Sequence, residues 1–249
     1  MKRFAIHIFA TALVVVGSCT RFYASQPAEP PLPDLQTVLR KAVERAKSED
    51  QNDRAFKEHY GYKRLKISEE RNGQGRINKH EERISPHMPQ AQVTIPTSAK
   101  APSQSGSNKA LDKNDFPLNQ DTLSRFQFSM AGREIFNNRP TLVVDFKPKE
   151  KNSAKSYKDY LMNRAAGRIW LDEKECALVK ADVHLTEGIS IVGGLVGSVK
   201  KFWYHLDRER TPEGYWFSRF VNWHVEFREF LAHKILEHKE QNFDLRKLQ

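Results

Sequence analysis

The sequence predicts a mainly β fold of the α+β class, with one long antiparallel sheet and a single N-terminal helix to cover its apolar face. Two observations predict it. From Phe126 onward the chain is a succession of strand-like segments in which apolar and polar residues alternate, as a sheet with one buried face requires. Ahead of them, residues 34–48 carry apolar residues at helical spacing.

The alternation is clearest in two segments, and it assigns their side chains to faces. One face would receive Val179, Ala181, Val183 and Leu185 from the first segment, and Val221, Trp223, Val225 and Phe227 from the second. An apolar face of this length must be covered or must bind a ligand. Which of the two happens is the functional question that the sequence raises.

The N-terminus predicts export. Lys2 and Arg3 precede an apolar run, 4–16, that is too short to span a bilayer, so residues 1–18 are expected to be a signal peptide. Residues 16–19 resemble a bacterial lipobox, in which Cys19 would carry the lipid. Ordinary cleavage near Ser18, without lipid, is the alternative. A proline-rich tether, 19–33, follows.

The net charge limits the kinds of molecule that the chain is expected to bind, and the cysteine content limits the chemistry expected of its thiols. The chain of 249 residues has a net charge of +10, and loss of Lys2 and Arg3 with the signal lowers it to +8. This favours anionic surfaces such as a membrane surface. Nucleic acid is not expected, because the chain is exported and its charges are dispersed. Apart from Cys19 there is only Cys176, which we expect to be a small half-buried residue.

The first ordered elements are a helix and a hairpin. Asp34 is the expected N-cap of the helix, whose stripe comprises Leu35, Val38, Leu39, Ala42 and Ala46; helicity fades near 48–52 or resumes up to Lys57. The charged segment 60–85 contains Asn72-Gly73, a strong hairpin signal, and is expected at an edge of the sheet.

Three further segments interrupt the strands. Residues 86–117 are rich in Pro, Ser and polar residues and predict a disordered insertion, and a helical turn is expected at 157–161. Residues 188–197 are apolar, glycine-rich and uncharged. They are either a buried plug or a mobile lid or membrane-contact loop, whose side chains would be Ile189, Ile191, Val192, Leu195 and Val196.

No catalytic, phosphate-binding or metal-binding motif is present. The start of a zinc-protease motif at His80-Glu81 lacks its second histidine, because Ile84 stands at that position. The sequence therefore predicts neither an enzyme nor a cofactor.

Two central stretches, 131–148 and 166–182, resemble the outer-membrane lipoprotein-sorting and lipoprotein-carrier (LolA/LolB-like) proteins, and within them an uncharacterised envelope branch. The resemblance covers most of residues 34–248. It implies that residues 34–249 form a single domain, a curved, half-open antiparallel β-barrel with helices over its concave face. It further implies a cavity that holds acyl chains.

The expected function is binding of lipid or lipoprotein acyl chains in the periplasm, with or without an anchor in the outer membrane. The cavity would be lined by Leu142, Val144, Phe146, Ile169, Leu171, Val179, Val183, Trp223, Val225 and Phe227. The alternative for these residues is an ordinary core filled by the helix. The alternative function is a membrane-tethered scaffold or sensor that meets an envelope protein partner through the hairpin at 60–85.

Overall fold

The computed structural model describes residues 30–89, 118–149, 157–191 and 197–248. Residues 32–249 form one unit, and the fold is that of this unit. The predicted signal peptide, Cys19, most of the tether and residues 90–117 of the predicted insertion lie outside the described residues. Within the described ranges, every helix is too short or too polar to cross a bilayer.

Strands dominate the described residues. The helices are α1 (Leu35–Ala46), α2 (Glu49–His59), α3 (Gln120–Arg125) and α4 (Tyr157–Met162). The strands are β1 (Tyr60–Asn72), β2 (Ile77–His87), β3 (Phe126–Phe136), β4 (Arg139–Pro148), β5 (Ala165–Asp172), β6 (Leu178–Leu185), β7 (Ile189–Ile191), β8 (Gly197–Arg210), β9 (Trp216–Glu229) and β10 (Ala232–Lys247).

All ten strands belong to one antiparallel sheet in the order β2-β1-β10-β9-β8-β6-β5-β4-β3, and β7 pairs with β8 beyond the end of β6. Strands β2 and β3 are its two edges and do not pair with each other within the described residues. The sheet is therefore an open barrel, which confirms the predicted fold class.

The N-terminal helix covers the concave face. Asp34 caps α1 by accepting a hydrogen bond of 2.8 Å from the Thr37 amide, as predicted. Its apolar stripe, Val38, Leu39 and Ala42, is buried against β4, β5, β6 and β8. We call the face of the sheet that α1 covers the inner face, and the opposite face the outer face.

Helix α2 follows after a break at Ser48. The side chain of Asn52 joins it to β9 through a pair of hydrogen bonds to the backbone of one residue, as a neighbouring strand would. The side-chain Nδ2 of Asn52 donates to the Trp216 backbone carbonyl oxygen over 2.6 Å, and the side-chain Oδ1 of Asn52 accepts from the Trp216 backbone N–H over 2.9 Å. Phe56, one turn later, stacks on Phe217 with ring centroids 4.8 Å apart. The sequence left open whether the helix resumes up to Lys57, and in the structure it does so as α2.

The predicted hairpin is confirmed as β1 and β2, although its turn is longer than Asn72-Gly73 alone. The Asn72 amide donates to the Arg76 carbonyl, and Asn72 Oδ1 accepts from the Gln74 and Arg76 amides. Positive φ occurs at Gly75, with a value of 81°, rather than at Asn72 or Gly73. Asn72 therefore acts through its side chain, which closes the turn.

Close strand approach and register shifts curve the sheet. One-residue register shifts place an extra residue in β2, β3, β6, β8, β9 and β10, and each extra residue bends its strand. At Gly167 the backbones of β5 and β6 come so close that a Cβ atom would lie 2.0 Å from the Asp182 carbonyl oxygen. Only glycine fits this position.

Candidate functional site

The part of the inner face beneath α1 is a filled core. Leu142 and Val144 of β4 and Ile169 and Leu171 of β5 are all buried and pack in one cluster with α1. Phe146 is partly buried at the margin of this cluster. For these five residues the structure supports the alternative of an ordinary core, because α1 occupies the place that a ligand would otherwise take.

Val179 does not share a face with its predicted neighbours. Trp170 pairs with Lys180 but Leu171 pairs with Leu178, so Val179 is the extra residue of a bulge. It packs with Ala177 and Trp216 in a separate cluster. The sequence alone places Val179 on the same face as Ala181. A bulge of one residue cannot be recognised there, because it does not change the alternation of apolar and polar residues along the strand.

The other aliphatic candidates meet in a second region of the inner face, next to α4. Its buried centre combines α4, β7 and β8, and partly buried side chains of β6 and β9 surround it. We call this set the α4 patch: Leu161, Ile189, Val199 and Phe202 at the centre, with Val183, Val225 and Phe227 around them.

Ile189 of the predicted lid is only 1% exposed and belongs to the centre of the α4 patch. Ile191 ends β7, where its backbone pairs with Gly197. Val192, Leu195 and Val196 lie outside the described residues. The start of the 188–197 segment is thus a strand in the core.

The inner face becomes polar at β10. Trp223 is buried and stacks on His238, with ring centroids 5.3 Å apart and planes 21° from parallel. His238 Nδ1 lies 2.9 Å from the Ser68 hydroxyl, and its Nε2 lies 3.9 Å from Glu240. Trp223 is therefore the boundary between the apolar half of the inner face and a polar half.

Glu240 is the centre of a charge network in the polar half. Its carboxylate lies 3.1 Å from Arg64 and 3.0 Å from Lys66, both on β1. Burial alone would raise the pKa of Glu240, but the nearby side chains of His238, Arg64 and Lys66 lower it to about 2. The carboxylate is therefore ionised wherever the protein is folded near neutral pH.

A shallow groove crosses β6, β8 and β9, and the exposed side chains that border it belong to the outer face. It has a volume of about 390 Å³ and is lined by Asp182, Val183, His184, Trp203, Tyr204, His205 and Asn222. His205 is held between two carboxylates, 2.5 Å from Asp182 and 3.1 Å from Asp207. Trp203, 38% exposed, stacks on His224 with planes 4° from parallel.

Neither the groove nor the charge network was predicted from the sequence. Their residues come from strands that are distant in sequence, and only the lateral order of the sheet brings them together. The alternation of Leu236, His238 and Glu240 along β10 was the one local signal of a polar inner face.

The described residues contain neither an exposed nucleophilic cysteine nor a cluster of metal ligands. Cys176 is buried, and burial raises the pKa of its thiol, which disfavours the reactive thiolate. No three histidine, cysteine or acidic side chains come together as a metal site among the described residues.

No protein-family model and no curated protein matches this chain. Among solved structures, it is similar to a putative outer membrane lipoprotein-sorting protein domain from Vibrio parahaemolyticus (12% identity, 85% of this chain and 94% of that one, TM-score 0.31). It is also similar to a LolA superfamily protein from Nitrosomonas europaea (9% identity, 88% and 94%, TM-score 0.32). A third is a DUF1329 family protein from Desulfovibrio piger (14% identity, 84% and 92%, TM-score 0.31).

The first two of these neighbours carry the name of the family that the sequence resembles. Backbones that overlap at TM-scores near 0.3 differ widely in detail, so the likeness says nothing about a ligand. The side chains of this chain must supply the functional argument.

Proposed function

We propose that this protein is an exported, non-enzymatic lipid-binding protein that holds an acyl chain on the α4 patch. One observation carries the proposal. The patch continues a fully buried apolar cluster into the partly buried side chains of Val183 on β6 and of Val225 and Phe227 on β9, all on one face of the sheet. An acyl chain laid along them would extend the core without displacing α1.

The α4 patch is favoured over the rest of the inner face because its cover is short. Helix α1 has twelve residues and lies on β4, β5, β6 and β8. Helix α4 has six, of which Leu161 contributes to the centre of the patch. Val225 and Phe227 on β9 are only partly buried, so an apolar ligand beside them would bury them further.

The neighbouring polar row supports an amphiphile rather than a purely apolar ligand. Val225 pairs across the sheet with Leu236, and the next inner pair along the same strands is Trp223 with His238. A chain that lies on Val225 and Phe227 would end beside Ser68, His238 and the basic side chains of β1. A head group with hydrogen-bond acceptors fits this boundary.

The energetics predict a dependence on chain length. Burial contributes about 0.8 kcal/mol per methylene, so ten methylenes contribute roughly 8 kcal/mol. Loss of free motion on binding costs on the order of 4–15 kcal/mol. A long chain can offset this cost and a six-carbon chain cannot.

The test is displacement of a fluorescent fatty acid by saturated acids of increasing length, together with mass spectrometry of lipid extracted from the purified protein. We expect co-purified lipid, and displacement by chains of about twelve carbons or more. Phe227→Ala should weaken probe binding, because it removes apolar surface from the patch. Phe136→Ala is the matched control, since Phe136 is also partly buried but packs in the cluster of Trp216.

Two results would contradict acyl binding. One is a wild-type protein that carries no lipid and does not bind the probe. The other is equal loss of probe binding in the Phe227 and Phe136 variants, since this would indicate a general loss of packing rather than a site.

Access and location complete the proposal. We propose that residues 188–197 control entry to the patch, a role supported by their apolar sequence and by Ile189, which anchors the start of the segment in the patch. We also propose an envelope location, with a lipid on Cys19. The mass of the purified mature protein and fractionation of a Cys19→Ala variant test the anchor.

A second candidate function, recognition of an envelope protein partner, is supported by β2. This strand is an edge of the sheet, and its side chains are exposed along most of its length on both faces. An edge with free backbone groups can accept a strand from a partner. Site-specific photo-crosslinking from Glu82 in cells tests it: a discrete cross-linked partner supports the scaffold, and lipid-bearing protein without one supports the carrier.

A further inference from the structure

Two hairpin turns lie side by side at one end of the sheet. Asn72, at the end of β1, pairs with Lys234, near the start of β10. A Cβ atom at Gly73 would come within 2.7 Å of His233 Nδ1, so the β1–β2 turn touches the strand that follows the β9–β10 turn. We call the two turns, residues 73–76 and 230–231, the hairpin end.

The β9–β10 turn presents two large apolar side chains to water. Glu229 pairs with Ala232, so Phe230 and Leu231 are the whole turn. Phe230 is 70% exposed and Leu231 is 98% exposed. Burying a leucine side chain changes a partition constant by more than about tenfold, so a fully exposed Leu231 at a tip is unfavourable unless something covers it.

The conformation of this turn also departs from the usual choice of residues. Phe230 has φ of 52°, a left-handed conformation that is rare for a bulky residue and ordinarily taken by Gly, Asn or Asp in two-residue turns. The β3–β4 turn of the same sheet follows the rule, with Asn137 at 48° and Asn138 at 59°. Phe230 is therefore a strained residue at an exposed tip, and such strain points to function.

Basic side chains flank the apolar tip. Arg76 lies in the β1–β2 turn and Arg228 lies at the end of β9, opposite His233. Both are exposed, and neither has an ion-pair partner in the part of the chain that the structure describes. Lys234 is the third cation there, and it pairs with Glu229 over 3.3 Å.

We propose that the hairpin end docks on an anionic lipid bilayer, with Phe230 and Leu231 in the boundary between head groups and acyl chains and with Arg76 and Arg228 on lipid phosphates. Apolar side chains that protrude between cations match the chemistry of such a surface. The proposal does not depend on acyl binding by the α4 patch. If both hold, Phe227 and Val225 lead from the docked tip along β9 into the patch.

The test is flotation of the mature protein with vesicles, and every variant also carries Cys19→Ser so that no lipid anchor contributes. The vesicles contain phosphatidylethanolamine with one quarter phosphatidylglycerol, or phosphatidylcholine alone. We expect binding to the anionic vesicles and at least ~fivefold weaker binding by Leu231→Ser. Arg76→Gln with Arg228→Gln should lose roughly tenfold on anionic vesicles and little on neutral ones.

Ile135→Ser is the matched control, because Ile135 is 69% exposed beside the β3–β4 turn at the opposite end of the sheet. It should bind vesicles like the wild type, and all variants should retain the wild-type thermal midpoint and probe binding by the α4 patch. The proposal is overturned by wild-type protein that does not float, by unchanged binding in Leu231→Ser, or by equal loss in Ile135→Ser. A dimer that dissociates in Leu231→Ser, without vesicle binding, assigns the tip to self-association and also overturns it.

Discussion

The two halves of the inner face are built from similar alternating strands, but they end in different environments. On β4 and β5 the inward residues are Leu142, Val144 and Leu171, each no more than 1% exposed beneath α1. On β10 and β1 the inward positions hold Lys66, Glu240 and other polar residues, and the aliphatic Leu236 is only partly buried. Apolar packing beneath α1 stabilises the first half, whereas ion pairs in contact with water stabilise the second.

This difference teaches that alternation marks a face but does not say what covers it. The covered half has no room for a ligand, because the helix already fills it. The polar half cannot bury an acyl chain without leaving Glu240 or Lys66 away from water, at a cost of several kcal/mol. The remaining apolar surface, the α4 patch, lies between them.

The largest expected effect compares the same substitution in the two halves. Leu171→Ala should lower the free energy of unfolding by about 2–5 kcal/mol, since it opens a cavity under α1. Leu236→Ala should cost less than about 1 kcal/mol, because its site is already half open to water. Urea denaturation measures both, and equal costs would mean that the polar half is as tightly packed as the covered half.

A smaller effect concerns the attachment of α2. Asn52→Ala leaves the Trp216 amide and carbonyl without their partner, so we expect a loss of about 2 kcal/mol. Asn222→Ala is the matched control, because Asn222 Oδ1 accepts no hydrogen bond within the described residues, and it should change stability by less than about 0.5 kcal/mol. Thermal unfolding of both variants is the measurement. A neutral Asn52→Ala would show that Phe56 and the Glu49–Arg208 ion pair hold α2 without Asn52.

The smallest effect is pH dependence in the polar half. The pKa of Glu240 is about 2 in the folded protein and 4.5 ordinarily, so folding favours the ionised form. Its contribution is present above pH 4.5 and is lost as the pH falls from 4.5 towards 2. Because water reaches the network, we expect only about 1 kcal/mol at neutral pH.

Glu240→Gln should therefore be less stable than the wild type at pH 7 and nearly equal to it at pH 2. Glu213→Gln is the control. The pKa of Glu213 is also held at about 2, first by the hydrogen bond from Lys247, but this carboxylate is exposed. A larger effect at Glu213 than at Glu240 would contradict the view that the inner-face network is the stabilising one.

Local signals were sufficient for much of the fold. Asp34 as an N-cap, the hairpin around Asn72, and the helical turn at 157–161 were all predicted and are present. Each depends on residues within a few positions of each other, where propensity and side-chain hydrogen bonds decide the conformation.

What the sequence did not reveal depends on pairing between distant segments. The bulge at Val179 needs the register between β5 and β6, and the charge network needs β1 beside β10. The turn at Phe230 and Leu231 was not predicted, because an apolar dipeptide in a two-residue turn carries no turn signal. For the candidate site, the sequence identified Val183, Val225 and Phe227 but not Leu161 or Phe202.

The pairing of β1 with β10 also constrains when the molecule can fold. Helix α2 is tied to β8 and β9 by Glu49 with Arg208 and by Asn52 with Trp216, and Tyr60 pairs with Lys247. Contacts between the early and late parts of a chain are slow to form. Strand β1 therefore has only its hairpin neighbour β2 to pair with until β10 is available, so this side of the sheet is completed last.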